Sequence, residues 1–234
     1  MHNKRLLVLL LILSLIIALA ACAKQQTAPT PEETAVQTPP REPISGEYDD
    51  AIAEMQALYQ SPSLESYSAM TGGAFLSEEI AAYYGAILEV TGADEQTLLS
   101  DLGLAATDTT IIVTQEQPMT DEQLAEYRAR LGEMAAAYET WLTERGAFSD
   151  ADWDALAANM ENATGAQLKE TFQKMQPAVA SAQAKLAAAN LSEGKILTCI
   201  ATAADGTQSE NVVPMLCIDG SWVSEAVFSS MQLL

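Results

Sequence analysis

The residues of this chain that could do chemistry are few, and one absence narrows them first. Its single histidine is His2, inside an apolar leader. Past that leader, Ser-His-Asp and Cys-His catalysis, imidazole acid–base chemistry and His-ligated zinc have no imidazole to use. Two cysteines, Cys199 and Cys217, flank an Asp205-Gly206 turn signal. Pairing the flanking strands about position 208 sets Cys199 opposite Cys217, Ala201 opposite Met215 and Ala203 opposite Val213. That face is small and apolar throughout, so it points to the core. Behind an export leader, such a pair predicts a disulfide contributing about 3 kcal/mol in the chain-entropy model. Two buried free thiols are the alternative, because cysteine is also a common core residue. The spacing is not Cys-x-x-Cys, and redox catalysis is not expected.

Asp150, Asp152, Asp154 and Glu161 have the spacing of a Ca²⁺ loop, but Ala155 stands where that loop turns on glycine. A Ser149 N-cap with acids in the first helical turn explains the same residues. No metal or other cofactor is expected. Carboxylate pairs need no histidine, so a hydrolase or isomerase built on two acids is the alternative to a non-catalytic protein. With 32 acids in the chain, the sequence nominates no pair, and no catalytic residue is named. Ser192-Glu193-Gly194-Lys195 has the Ser-x-x-Lys spacing of penicillin-interacting enzymes without their Ser-Asp-Asn and Lys-Thr-Gly companions. It reads as a glycine turn before a strand. Asn162-Ala163-Thr164 fits a glycosylation sequon, and there is no glycine-rich phosphate loop.

The elements that must position any site divide the chain into a helical part and a strand-rich end. Ile52, Met55, Leu58 and Tyr59 predict a helix ended near Ser61-Pro62. Ser77 predicts the N-cap of a second, carrying Ile80, Tyr83, Tyr84, Ile87 and Leu88, and Asp94 caps a short third. Thr109 to Thr114 is β-branched and predicts a strand. Thr120 and Gln123 form a capping box. Behind it Leu124, Tyr127, Leu131, Met134, Tyr138 and Trp141 make a heptad seam too short for a coiled coil, so it is expected to pack in the core. Ser149 and Thr164 open two further helices, and Pro177 should kink or end the last. Ile196 to Ala203, Val212 to Ile218 and Trp222 to Phe228 predict three strands, with Asp205-Gly206 and Asp219-Gly220 as hairpin turns. The expected fold is α+β: a mainly helical first half and a C-terminal antiparallel meander packed against helices. The stretch Val213 to Val223, with its turn followed by Gly-x-Trp, resembles the ending of cystatin-like domains of the nuclear-transport-factor-2 type. That resemblance implies helices on the concave face of a curved sheet, in a family whose members are often non-catalytic.

Lys4 and Arg5 precede an apolar run from Leu6 to Leu13 that continues past Ser14 to Ala21. This is the layout of a secretory signal. The run is about 16 residues, short of the roughly 20 that span a bilayer. Its end, Leu19-Ala20-Ala21-Cys22, resembles the lipobox of bacterial lipoproteins. The resemblance implies that residues 1–21 are removed as a signal peptide. Cys22 then receives diacylglycerol, and its palmitate-type chains hold the protein almost permanently to a membrane. Residues 22–45 read as the lipidated cysteine and a disordered tether, since five of the nine prolines fall there with almost nothing apolar. Residues 46–234 form the expected single extracytoplasmic domain.

Net charge is −21 at pH 7, from 11 basic and 32 acidic residues. Losing the leader makes it more negative. Such a surface repels phosphate backbones, so nucleic acid is excluded as a partner. The expectation is a non-catalytic, lipid-anchored domain on the outer face of the bacterial cytoplasmic membrane, or on the outer membrane of a two-membrane envelope. It binds a small ligand or an envelope protein, with a purely structural envelope role as a further reading. Trp141, Trp153 and Trp222 are the aromatics to examine for a pocket.

Overall fold

The computed structural model describes residues 42–159 and 163–231. The leader, Cys22, the tether to residue 41, Glu161, Asn162 and residues 232–234 lie outside the described residues. Among the described residues six helices and four strands run in the order α1 (Asp49–Gln60), α2 (Leu64–Thr91), α3 (Glu95–Asp101), β1 (Thr110–Pro118), α4 (Asp121–Gly146), α5 (Asp150–Ala157), α6 (Gly165–Ala188), β2 (Leu191–Thr202), β3 (Gln208–Ile218) and β4 (Ser221–Ser224). The fold is α+β, with one antiparallel sheet in the order β1-β2-β3-β4.

The helix starts at Thr120, Ser149 and Thr164 are all reciprocal capping boxes, closed by Gln123, Asp152 and Gln167. Each satisfies two otherwise orphaned N–H groups. The start of α2 is not Ser77. Ser63 caps it, exchanging bonds with Ser66, and the helix breaks at Gly73 (φ 51°, ψ −153°) before resuming at Ala74. The resumed half is capped from outside, because the Ala74 N–H donates to Ser221 Oγ at 3.1 Å. Nor does Pro177 end α6, which runs on through the alanine-rich stretch to Ala188. Gln173 and Pro177 are both exposed, so the carbonyl that loses its intrahelical donor faces water. The α4 seam is core: Leu124, Leu131, Tyr138 and Trp141 are buried, and α4 packs on α6.

Strand alternation gives the sheet two covered faces. Ile196, Leu216, Ile218 and Val223 pack on the helices. Ile111, Val113, Leu197, Cys199 and Met215 pack on Tyr48 and Ile52, so α1 shields the other face. The entering chain runs beside the outer edge of β1, where the Ile44 N–H donates to the Val113 carbonyl at 2.9 Å. The expected last strand is shorter than Trp222 to Phe228. The Ser224 side chain accepts from the Ala226 N–H and turns the chain into a 3₁₀ helix, Glu225–Ser229.

The β2–β3 register overturns the expected disulfide. The Asp205-Gly206 signal does form the turn, but as a three-residue loop, Ala204 to Gly206, in which the Ala203 N–H donates to the Thr207 carbonyl and Gly206 has φ 84°. Pairing is therefore centred on Asp205 rather than on position 208. Cys199 faces Asn211, and Cys217 faces Glu193. The two cysteines are separated along β3 by six positions, on the order of 20 Å. A disulfide spans Cα atoms only about 4.4–6.8 Å apart. Both thiols are free and buried.

Four tyrosines, three from α2 and one from α4, pack together. The Tyr84 ring centroid lies 5.5 Å from that of Tyr67 and 5.1 Å from that of Tyr83, both edge-on, and Tyr138 is enclosed beside them. Burial pushes all four phenols above their ordinary value, offset in part for Tyr67 by a hydrogen bond with Tyr84. A raised phenol keeps its proton in the folded chain at a pH where the unfolded chain releases it. Stability is thus full below about pH 10 and falls as pH rises beyond it. Urea midpoints should stay level to roughly pH 9 and drop steeply above 10. Phenolate absorbance from these rings before unfolding would contradict the packing.

Candidate functional site

α1 covers only part of its sheet face. It ends at Gln60, held to the chain ahead of β1 by the Thr107 N–H on the Tyr59 carbonyl (2.6 Å) and to β1 itself by Gln56 Oε1 accepting from the Ile111 N–H (3.1 Å). Beyond its end the face is open, and a cleft of about 640 Å³ remains. Its floor is Ile111, Cys199, Ala201 and Val213; Met55, Leu58, Met70 and Leu104 form apolar walls, and Thr107, Thr109, Ser209 and Asn211 supply polar groups. The size lies inside the roughly 300–1,000 Å³ of small-molecule sites, and a mostly apolar lining with a few polar groups is their usual make-up. Burial raises the Cys199 thiol pKa, so the floor presents a neutral S–H rather than a nucleophile.

The mouth of the cleft is where large apolar side chains reach solvent. Tyr59 and Val212, the two exposed large hydrophobics among the described residues, are 42% and 65% exposed, and both line it. No family model, curated protein or solved structure matches this chain. The site must therefore be read from its own chemistry.

Charge is the second feature of the cleft. From Glu42 to Tyr127, and again from Ile196 to Leu234, the sequence has no Lys, Arg or His. Every cleft-lining residue belongs to one of these two stretches. The described basic residues all fall between Arg128 and Lys195. Glu225 is the one charged residue that lines the cleft, and Arg130 lies 3.7 Å from it, so the net charge of −21 rather than the lining favours a cationic or neutral ligand over an anion.

A smaller cavity of about 370 Å³ lies at the other end of α1, between Glu47, Asp50, Glu54, Gly73, Asp219 and Trp222. Burial, and then the charge of Asp50 one turn away, raise the Glu54 carboxyl pKa. The most enclosed acid among the described residues, Glu79, sits elsewhere and is structural. Lys185 Nζ and Ser181 Oγ bond its two oxygens at 2.8 and 2.7 Å. Burial raises its pKa, but those bonds outweigh it and hold the carboxyl below its ordinary range.

Other residues singled out from sequence are dispersed. Trp141 and Trp153 are core, tilted against Phe172 around a small void, and Trp222 lines the cavity beside α1. Asp150 pairs with Lys169, and Asp152 closes the Ser149 box. Ser192 and Lys195 lie within β2 rather than in a turn before it, where Ser192 Oγ donates to the Cys217 carbonyl and Lys195 pairs with Glu116.

Proposed function

We propose that this is a lipid-anchored extracytoplasmic binding protein. Cys22 carries the acyl anchor, the proline-rich tether spaces the domain from the membrane, and the cleft takes the apolar part of a ligand. The leader and its terminal Leu19-Ala20-Ala21-Cys22 support the anchor. The observation that carries the binding reading is the coincidence of Tyr59 and Val212, both exposed, at the mouth of a cleft with an apolar floor. Apolar surface gathered at one concavity marks an interaction site more than scattered exposure does.

One experiment with two arms tests the proposal. Nile red, a neutral solvatochromic dye, should brighten and shift to the blue with the full chain. Ala201→Trp, which puts an indole on the cleft floor, should weaken that binding about tenfold. Equal binding by both proteins removes the cleft from the account. In the second arm, Cys22→Ser should release the protein from cell membranes, and equal retention removes the anchor. The second cavity favours a second reading, a carboxylate-dependent hydrolase or isomerase using Glu54 and Asp50. An activity abolished by Glu54→Gln and untouched by Ala201→Trp would select it.

A further inference from the structure

A free strand edge borders the cleft. β4 pairs with β3 only from Met215 onward, and among the described residues no strand lies beside the outer edge of β3 from Gln208 to Pro214. The two-residue turn at Asp219-Gly220 closes on the Ile218–Ser221 pair. Ladder alternation from that pair directs the backbone N–H and C=O of Val212 toward the open edge. The intervening residues Ser209, Asn211 and Val213 line the cleft on the α1 side of the sheet, and Val212 and Pro214, on the other side, line it along the edge. A backbone edge and a row of cleft positions thus share the two-residue period that an extended chain also has.

We propose that this edge takes an extended segment of a cationic polypeptide, which adds beside β3 as a fifth strand and sets an apolar side chain into the cleft. The proposal rests on the cleft-binding reading and names its ligand. Main-chain pairing with alternate side chains in pockets is how sheet edges bind peptides. The sign of the partner follows from the net charge of −21 and from Glu210, exposed on this part of β3; Glu225, the one acid that lines the cleft, is shared with Arg130 at 3.7 Å. A second copy of this chain is disfavoured, because each carries net charge −21, and because Glu210 and Pro214 blunt the edge against self-pairing.

The test is selection of random heptamers displayed on phage against the full chain in detergent. Enriched heptamers should alternate β-branched or apolar residues with Lys or Arg. As synthetic peptides they should lose about tenfold in affinity when salt is raised. N-methylation at alternate residues, which removes donors without touching the protein, should cost at least about tenfold, and so should Val212→Pro on the exposed edge. Enrichment of acidic heptamers, or affinity indifferent to N-methylation, overturns the proposal. If Nile red binds and no heptamer is enriched, the inference fails and the cleft reading stands; if neither binds, both fail.

Discussion

Phe172→Ala should lower the unfolding free energy by about 4 kcal/mol, the usual cost of deleting a buried aromatic ring. Phe172 is the hub of an aromatic cluster, its ring centroid 4.9 Å from that of Trp141 and 5.5 Å from that of Trp153. A void of about 30 Å³ already lies among these three rings, Leu168 and Met175. The hole left by the ring would join a space that the surrounding helices have not closed. α5 has only 8 residues, too few to hold helical shape without tertiary contacts, and Trp153 is its main buried anchor. Its detachment should precede global unfolding, seen as early proteolysis within Asp150–Ala157. For a domain of this size the melting temperature should fall by roughly 10 °C, while Phe172→Leu should cost less than half as much. Equal melting of wild type and Phe172→Ala would refute the packing.

Gly73→Ala should cost about 3 kcal/mol although it adds one methyl group. Backbone at φ 51°, ψ −153° is open to glycine and strained for any residue with a Cβ, at about 1–3 kcal/mol. The new Cβ would also lie 2.7 Å from Val223 Cγ1 and 3.2 Å from the Trp222 carbonyl oxygen. β4 would have to move away, taking with it Ser221, which caps the second half of α2. The control lies in the same helix. A Cβ at Gly85 meets nothing within 4 Å, and Gly85→Ala should raise stability by about 0.5–1 kcal/mol. Urea unfolding of the two variants should therefore move in opposite directions. A Gly73→Ala variant as stable as the wild type would mean that the chain is not broken at Gly73.

Capping chemistry made much of this fold legible in sequence. Thr120, Ser149 and Thr164 each precede a partner by three residues, and each starts a helix as that spacing demands. The heptad seam and the Asp219-Gly220 hairpin were equally readable. Ser63 was missed because its partner is Ser66 rather than Glu or Gln, and a glycine pair inside an apolar stretch hides a broken helix. The register of the β2–β3 hairpin failed for a different reason. Gln208 to Asn211 are polar because they are exposed, so nothing apolar marked them as strand, and the turn was centred too late. The cleft has no local signature, being assembled from α1, residues 103–109 and β3, which are far apart in sequence.

Confinement of every described Lys and Arg to Arg128–Lys195 has an electrostatic consequence. The described chain outside that stretch carries acids alone, whereas within it acids and bases nearly balance. Beside any anionic surface the acid-only segments are repelled most, and α6, where Lys169, Lys174 and Lys185 outnumber Glu170, is repelled least. That preference is felt only within a screening length, about 8 Å at physiological salt.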